Sequence, residues 1–107
     1  NVPIFPGIAT PTDLKLALEH GLNTVKFYPV EAFGGVRTLK AFSGPYGEVS
    51  FIPTGGINAR NLVDYLQLPN VLACGGSWMV NPGLLREGRW SEVTRLTAEA
   101  VKSVSFQ

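Results

Sequence analysis

One lysine lies where the sequence pattern predicts the middle of a β-strand. Lys26 stands in residues 24–29 (TVKFYP), a segment rich in β-branched and aromatic residues. Strands of a βα repeat are covered on both faces, so we expect this ammonium group either to be desolvated or to line a cavity. Desolvation favours the neutral amine, the form that adds to a carbonyl carbon. Lys26 is therefore a candidate for Schiff-base chemistry, and a structural, ion-paired lysine is the alternative.

Glycine pairs follow two further predicted strands. Residues 54–57 (TGGI) come after one strand and open a predicted helix, and residues 75–77 (GGS) come after the next strand. A glycine pair allows backbone N–H groups to approach an oxyanion closely, and a helix N-terminus adds favourable potential. Two such pairs on consecutive strands, with hydroxyl groups at Thr54 and Ser77, favour anion binding over simple tight turns.

Composition excludes several functional classes. The chain has 107 residues, of which 45% are hydrophobic and 16% charged, as expected for a globular domain. The net charge of +1 comes from scattered charges, so neither nucleic acid nor a membrane surface is a predicted partner. The single cysteine, Cys74, excludes an internal disulfide and fits a reducing cytoplasm. No His, Cys or acidic cluster has metal-ligand spacing, so we predict neither a metal nor another cofactor.

Strand and helix patterns alternate along the chain. Short apolar runs predict four strands, at residues 2–5, 24–29, 49–53 and 71–74. Helical patterns follow them, with starts indicated at Thr10, Val36, Asn58, Pro82 and Ser91. This alternation predicts an α/β fold with parallel strands, and the tight spacing suits a barrel. Because a complete (β/α)₈ barrel needs eight strands, we expect residues 1–107 to form a single half-barrel segment.

Four segments resemble the 2-keto-3-deoxy-6-phosphogluconate (KDPG) and 4-hydroxy-2-oxoglutarate aldolase family. They are residues 2–8 (VPIFPGI), 25–32 (VKFYPVEA), 51–57 (FIPTGGI) and 75–78 (GGSW). The resemblance implies strands five to eight, the C-terminal half, of a (β/α)₈ TIM barrel. It also implies a class I aldolase, usually a homotrimer, that cleaves KDPG to pyruvate and glyceraldehyde 3-phosphate in the Entner–Doudoroff pathway.

Site residues follow from the same resemblance. Lys26 matches the Schiff-base lysine, and Tyr28 matches an aromatic residue, usually phenylalanine, that packs near the pyruvyl group. The positions that match the two phosphate loops are Thr54, Gly55, Gly56, Gly76 and Ser77. Such a mechanism needs no metal or cofactor.

The general acid/base glutamate of the family has no counterpart in this chain. It lies in the first half of the family's barrel, together with a substrate-binding arginine and threonine. Glu31 is the acid nearest to Lys26 in sequence, but its position favours a structural role. We therefore expect turnover to require the N-terminal half. The alternatives are a non-catalytic, phosphate-binding half-barrel fragment or pseudoenzyme, and a phosphate-binding barrel enzyme that does not use Lys26.

Overall fold

The computed structural model describes residues 1–104. It contains three strands and five helices, in the order β1 (Gly7–Ile8), α1 (Pro11–Glu19), β2 (Thr24–Phe27), α2 (Gly35–Phe42), β3 (Ser50–Pro53), α3 (Leu62–Leu66), α4 (Pro82–Arg86) and α5 (Trp90–Val104). A turn of 3₁₀-helix at Trp78–Val80 lies between α3 and α4.

The strands form one parallel sheet in the order β1-β2-β3. The central strand, β2, pairs Lys26 with Gly7 on one side and with Ile52 on the other. The predictions of parallel strands near residues 24–29 and 49–53 are confirmed. The strand predicted at residues 2–5 is wrong, because that segment has no regular structure and β1 begins at Gly7.

The hydrophobic core lies on one face of this sheet. Side chains alternate between the two faces of a strand, and the core-facing set includes Ile8, Val25, Phe27, Phe51 and Pro53. Buried residues of three helices cover them: Leu14 and Ala17 from α1, Leu39 from α2, and Leu62 and Tyr65 from α3. Phe27 also stacks on Phe42, with ring centroids 5.8 Å apart.

The other face of the sheet carries Lys26 and is open. Lys26 is exposed, and so is 56% of Tyr28, two residues further on the same face. The expectation that both faces are covered is therefore wrong. Because no helix covers this face among residues 1–104, Lys26 is not desolvated.

The prediction of a half TIM barrel is also wrong. The described chain is a small α/β domain with three parallel strands, which form an open sheet. The predicted fourth strand, residues 71–74, is reduced to a single bridge between Val71 and Phe51. Leu72 is 62% exposed, so the segment lacks the cover that stabilises a parallel strand. The tight spacing of the predicted strands does not distinguish a barrel from an open sheet, because any βα repeat has such spacing, whether or not its sheet closes.

Helix α1 begins as the sequence predicts. The hydroxyl of Thr10 accepts a hydrogen bond from Asp13 N–H (3.2 Å), and the Asp13 carboxylate accepts one from Thr10 N–H (3.1 Å). This reciprocal pair is a capping box. The confirmed start matters because α1 connects β1 to β2 and so helps to place Lys26.

Other helix boundaries differ from prediction. Asn58 does not begin a helix directly, because its carbonyl oxygen and side chain close a turn on Asn61, and α3 starts only at Leu62. Helix α5 begins at Trp90, one residue before the predicted cap at Ser91. Its apolar side is only partly covered, since 64% of Val101 is exposed. Across residues 1–104, no helix is both long and apolar enough to span a bilayer.

Candidate functional site

All seven site residues predicted from the sequence line one cleft. It lies on the open side of the sheet, beyond the carboxyl ends of β2 and β3, and has a volume of about 530 Å³. This size is within the range of small-molecule sites. The residues that line it are Lys26, Tyr28, Thr54, Gly55, Gly56, Ile57, Gly75, Gly76 and Ser77.

Lys26 and Tyr28 form the β2 side of this cleft. The Lys26 amine lies 5.5 Å from the centre of the Tyr28 ring, a distance at which an ammonium group is attracted to the aromatic face. Among the described residues that line the cleft, Lys26 carries the only formal charge. A negatively charged ligand would therefore be drawn towards the amine.

Gly55 and Gly56 have backbone conformations that only glycine adopts without strain. Their φ angles are +98° and +88°. A Cβ atom on Gly55 would lie 2.9 Å from Pro29 Cα, and one on Gly56 would lie 2.7 Å from Glu31 Cβ. The loop after β3 thus packs directly against the loop after β2, which places both beside Lys26.

Backbone hydrogen bonds join the loops that surround the cleft. The N–H groups of Val30 and Glu31 donate to the carbonyl oxygens of Thr54 (2.9 Å) and Gly55 (3.1 Å). On the other side, Gly75 N–H donates to Pro53 O (3.0 Å). Three segments that are distant in sequence are thereby held in one arrangement.

Several N–H groups in the cleft have no acceptor. Within residues 1–104, those of Gly55, Gly56 and Gly76 make no hydrogen bond to the protein. Unpaired backbone donors that line a cavity are the groups that bind oxyanions such as phosphate. Gly55, Gly56 and Gly76 thus leave unpaired backbone donors at residues that line the cleft.

The donors are not arranged as the sequence predicts. The loop at 54–57 does not open a helix, since α3 begins five residues after Ile57 and has only five residues. The second loop leads into the 3₁₀ turn at Trp78–Val80, where Ser77 is the residue before the turn. The indole of Trp78 lies against Gly76 and leaves no room for a Cβ there. Any anion would thus be bound by loop N–H groups rather than by a helix dipole.

Sequence reasoning missed two features of this region. Ile57 lines the cleft, although it was not predicted to bind substrate; its position directly after the first glycine pair was the available signal. The hydroxyl of Tyr65 also donates a hydrogen bond to the Glu31 carboxylate, across 34 residues of sequence. Tyr65 gave no sequence signal beyond its place in an apolar stripe.

Cys74 lies outside the cleft. It is half-buried among apolar residues that include Leu62 and Leu66, and this burial raises the pKa of its thiol to about 11. The thiol is therefore protonated near neutral pH and is a poor nucleophile. In the described part of the chain, no three His, Cys, Asp or Glu residues converge as metal ligands would.

Comparison with known proteins identifies the family. The family model of KDPG and KHG aldolases matches residues 1–96. The chain is 48% identical to the 2-dehydro-3-deoxy-phosphogluconate aldolase of Haemophilus influenzae over 101 residues, which are 94% of this chain and 48% of that protein.

Solved structures agree with this match. KDPG aldolase from Legionella pneumophila, with pyruvate captured as a covalent carbinolamine, superimposes with a TM-score of 0.86 at 45% identity, over 90% of this chain and 47% of that one. The Zymomonas mobilis enzyme with 3-phosphoglycerate gives 0.80 at 37% identity, over 90% and 44%. The chain thus spans about half the length of the proteins that it matches. It belongs to the KDPG and KHG aldolase family.

Proposed function

We propose that this chain supplies the imine-forming lysine and the phosphate-binding loops of a class I aldolase. Its substrate would be KDPG, and its products pyruvate and glyceraldehyde 3-phosphate. The observation that carries the proposal is the single cleft in which Lys26 and the two glycine loops meet. The relative with a captured pyruvate carbinolamine supports the imine-forming role, and the relative with 3-phosphoglycerate supports the binding of a phosphorylated ligand.

Lys26 would act as the nucleophile. Its neutral amine adds to the keto carbon of the substrate, and loss of water with uptake of one proton from solvent gives a protonated imine. The imine accepts the electron pair of the carbon–carbon bond that breaks, so glyceraldehyde 3-phosphate leaves and an enamine remains. Protonation of the enamine and hydrolysis of the imine then release pyruvate and restore the amine.

The glycine loops would hold the phosphate end of the substrate. Gly55, Gly56 and Gly76, whose N–H groups make no hydrogen bond to the described part of the protein, line the same cleft as Lys26. Binding the phosphate there orients the keto carbon towards the amine, so that binding energy is used for positioning. The hydroxyl groups of Thr54 and Ser77 are further donors to the phosphate, and the Tyr28 ring packs beside the pyruvyl carbons.

The two proton transfers need a group from outside the cleft. A base must remove the proton of the hydroxyl that becomes the aldehyde, and an acid must protonate the enamine. No carboxylate or imidazole is among the described residues that line the cleft. Following the family resemblance, we assign both transfers to a glutamate outside these 107 residues. We also carry over from the family a homotrimeric assembly and a cytoplasmic location.

A non-catalytic phosphate-binding protein is the second candidate. The absence of a base among the described lining residues favours it. It predicts phosphate binding at the glycine loops with no imine at Lys26, whereas the aldolase proposal predicts both.

Trapping with pyruvate distinguishes the two candidates. Incubation of the chain with pyruvate and borohydride should place a reduced pyruvyl group on Lys26, located by peptide mass mapping. Lys26→Arg keeps the positive charge but cannot form an imine, so it should abolish the adduct. Lys40→Arg, an exposed lysine on α2, is the matched control and should label like the unmodified chain. An unlabelled Lys26, or labelling spread equally over the lysines, would contradict the aldolase proposal.

A further inference from the structure

A buried tyrosine controls the direction of an acidic side chain beside the cleft. Tyr65, on α3, is fully buried, and its hydroxyl donates a hydrogen bond to Glu31 Oε2. Burial, as the main cause, and the hydrogen bond to this carboxylate, as a second one, raise the pKa of Tyr65 well above its usual range. The hydroxyl therefore stays protonated and able to donate throughout the neutral pH range.

The stem of Glu31 lies against the anion-binding loop. Its backbone N–H donates to Gly55 O (3.1 Å), and a Cβ on Gly56 would lie 2.7 Å from Glu31 Cβ. Glu31 nevertheless does not line the cleft, because its carboxylate turns towards Tyr65.

A third glycine makes room for this contact. Gly35 is buried at the start of α2 and has a φ angle of +61°. A Cβ there would lie 2.8 Å from Glu31 Oε2 and 2.9 Å from the Tyr65 hydroxyl. The backbone therefore leaves a space that the hydrogen-bonded pair fills.

We infer that Tyr65 is a positioning residue that holds the Glu31 carboxylate away from the phosphate-binding N–H groups. Without the hydroxyl, the carboxylate can rotate about its stem into the cleft beside Gly56. A negative charge there repels a bound phosphate and competes for the same N–H donors. The inference rests on the proposed phosphate site and adds to it a role for two residues outside the cleft.

Binding of inorganic phosphate provides the test. The amide signals of Gly55, Gly56 and Gly76 report on binding when phosphate is titrated into the labelled chain and followed by NMR. Tyr65→Phe should weaken phosphate binding about threefold, a modest factor because the carboxylate is partly screened by solvent. Tyr46→Phe, at the opposite end of the sheet, is the matched control and should bind like the unmodified chain.

Removing the charge should rescue the variant. Glu31→Gln/Tyr65→Phe should bind phosphate within about twofold of Glu31→Gln alone, since a neutral amide does not repel the anion. A purely structural role of Tyr65 gives no such rescue. The inference would be overturned if Tyr65→Phe weakened phosphate binding equally in the presence of Glu31 and of Glu31→Gln. It would also be overturned if folded Tyr65→Phe bound phosphate with unchanged affinity, or if the unmodified chain did not bind phosphate.

Two further measurements complete the design. Glu31→Asp leaves the aromatic core intact but is too short to reach Tyr65, so it should also weaken phosphate binding and replaces Tyr65→Phe if that variant does not fold. Pyruvate trapping at Lys26 should be unaffected by Tyr65→Phe. If Lys26 is not trapped by pyruvate, but Tyr65→Phe weakens phosphate binding and Glu31→Gln rescues it, the aldolase proposal is contradicted and the inference is supported. Intact trapping, with phosphate binding to the unmodified chain that Tyr65→Phe leaves unchanged, overturns the inference alone.

Discussion

Gly56 lies between the cleft and the side chain of Glu31. It contributes an unpaired N–H group on one side and contacts Glu31 on the other. Gly55 does the same against Pro29 and Tyr28. The conformation of the loop at 54–57 therefore depends on backbone geometry and close packing, and the accessibility of Lys26 depends on its position on the open side of β2. Single substitutions can therefore change the loop and Lys26 independently of each other.

Gly56→Ala should destabilise the chain by about 1–2 kcal/mol, because its φ of +88° is unfavourable for an L side chain. The new methyl group would also displace Glu31 and so weaken phosphate binding. Gly44→Ala is the matched control, since nothing lies within 4 Å of its added Cβ. Urea unfolding measures the difference in stability. Equal unfolding free energies for the two variants would contradict this account of the loop.

Helix α1 shows how a local element stabilises the strand that carries Lys26. Its capping box uses a carboxylate that accepts hydrogen bonds from the N–H groups of Ala9 (3.0 Å) and Thr10 (3.1 Å). These bonds, together with that from the Thr10 hydroxyl, lower the pKa of Asp13. The folded chain therefore favours the ionised form of this side chain.

The cap should make stability depend on pH. Because the folded pKa of Asp13 lies below its unfolded value of 3.8, its contribution is fully present above that value and is lost as the pH falls through the folded pKa. Asp13→Asn removes this titration, so its unfolding free energy should fall less steeply than that of the unmodified chain between about pH 5 and about pH 2. Denaturant unfolding across this range measures both curves. Parallel curves would show that Asp13 titrates alike in the folded and unfolded chain.

The whole molecule consists of a packed sheet-and-helix layer with a less embedded C-terminal helix. Its radius of gyration is 15.1 Å, compared with about 13 Å for a compact domain of this length. Val25 and Phe27 in β2 are fully buried, whereas α5 contains no fully buried residue. Along α5, Arg95 pairs with Glu92 and Glu99 at the exposed surface, where ion pairs add little stability.

Hydrogen exchange should therefore be uneven across the molecule. We expect the amides of β2 and β3 to exchange slowest, through global unfolding, and those of α5 to exchange faster, through local opening. Deuterium uptake followed by mass spectrometry on peptides covering 24–27, 50–53 and 90–104 measures this difference. If α5 were as protected as β2, a larger part of its surface would have to be covered than the structure shows.

The amino-acid sequence by itself determined the family, the parallel βα order and most of the described residues that line the cleft. These properties depend on local signals: a lysine in an apolar strand, two glycine pairs in connecting loops, and a capping box at Thr10 and Asp13. Such signals survive in the structure because neighbouring residues produce them.

Only the tertiary structure decided what surrounds those residues. The half barrel and the covered second face of the sheet were wrong because curvature, strand pairing and cover on that face depend on contacts between distant segments. Leu72 is apolar, as expected of a residue in a buried strand, but it is exposed because nothing in the described chain covers it. The contact of Tyr65 with Glu31 was likewise decided in three dimensions, because the packing of α3 beside the loop after β2 brings them together.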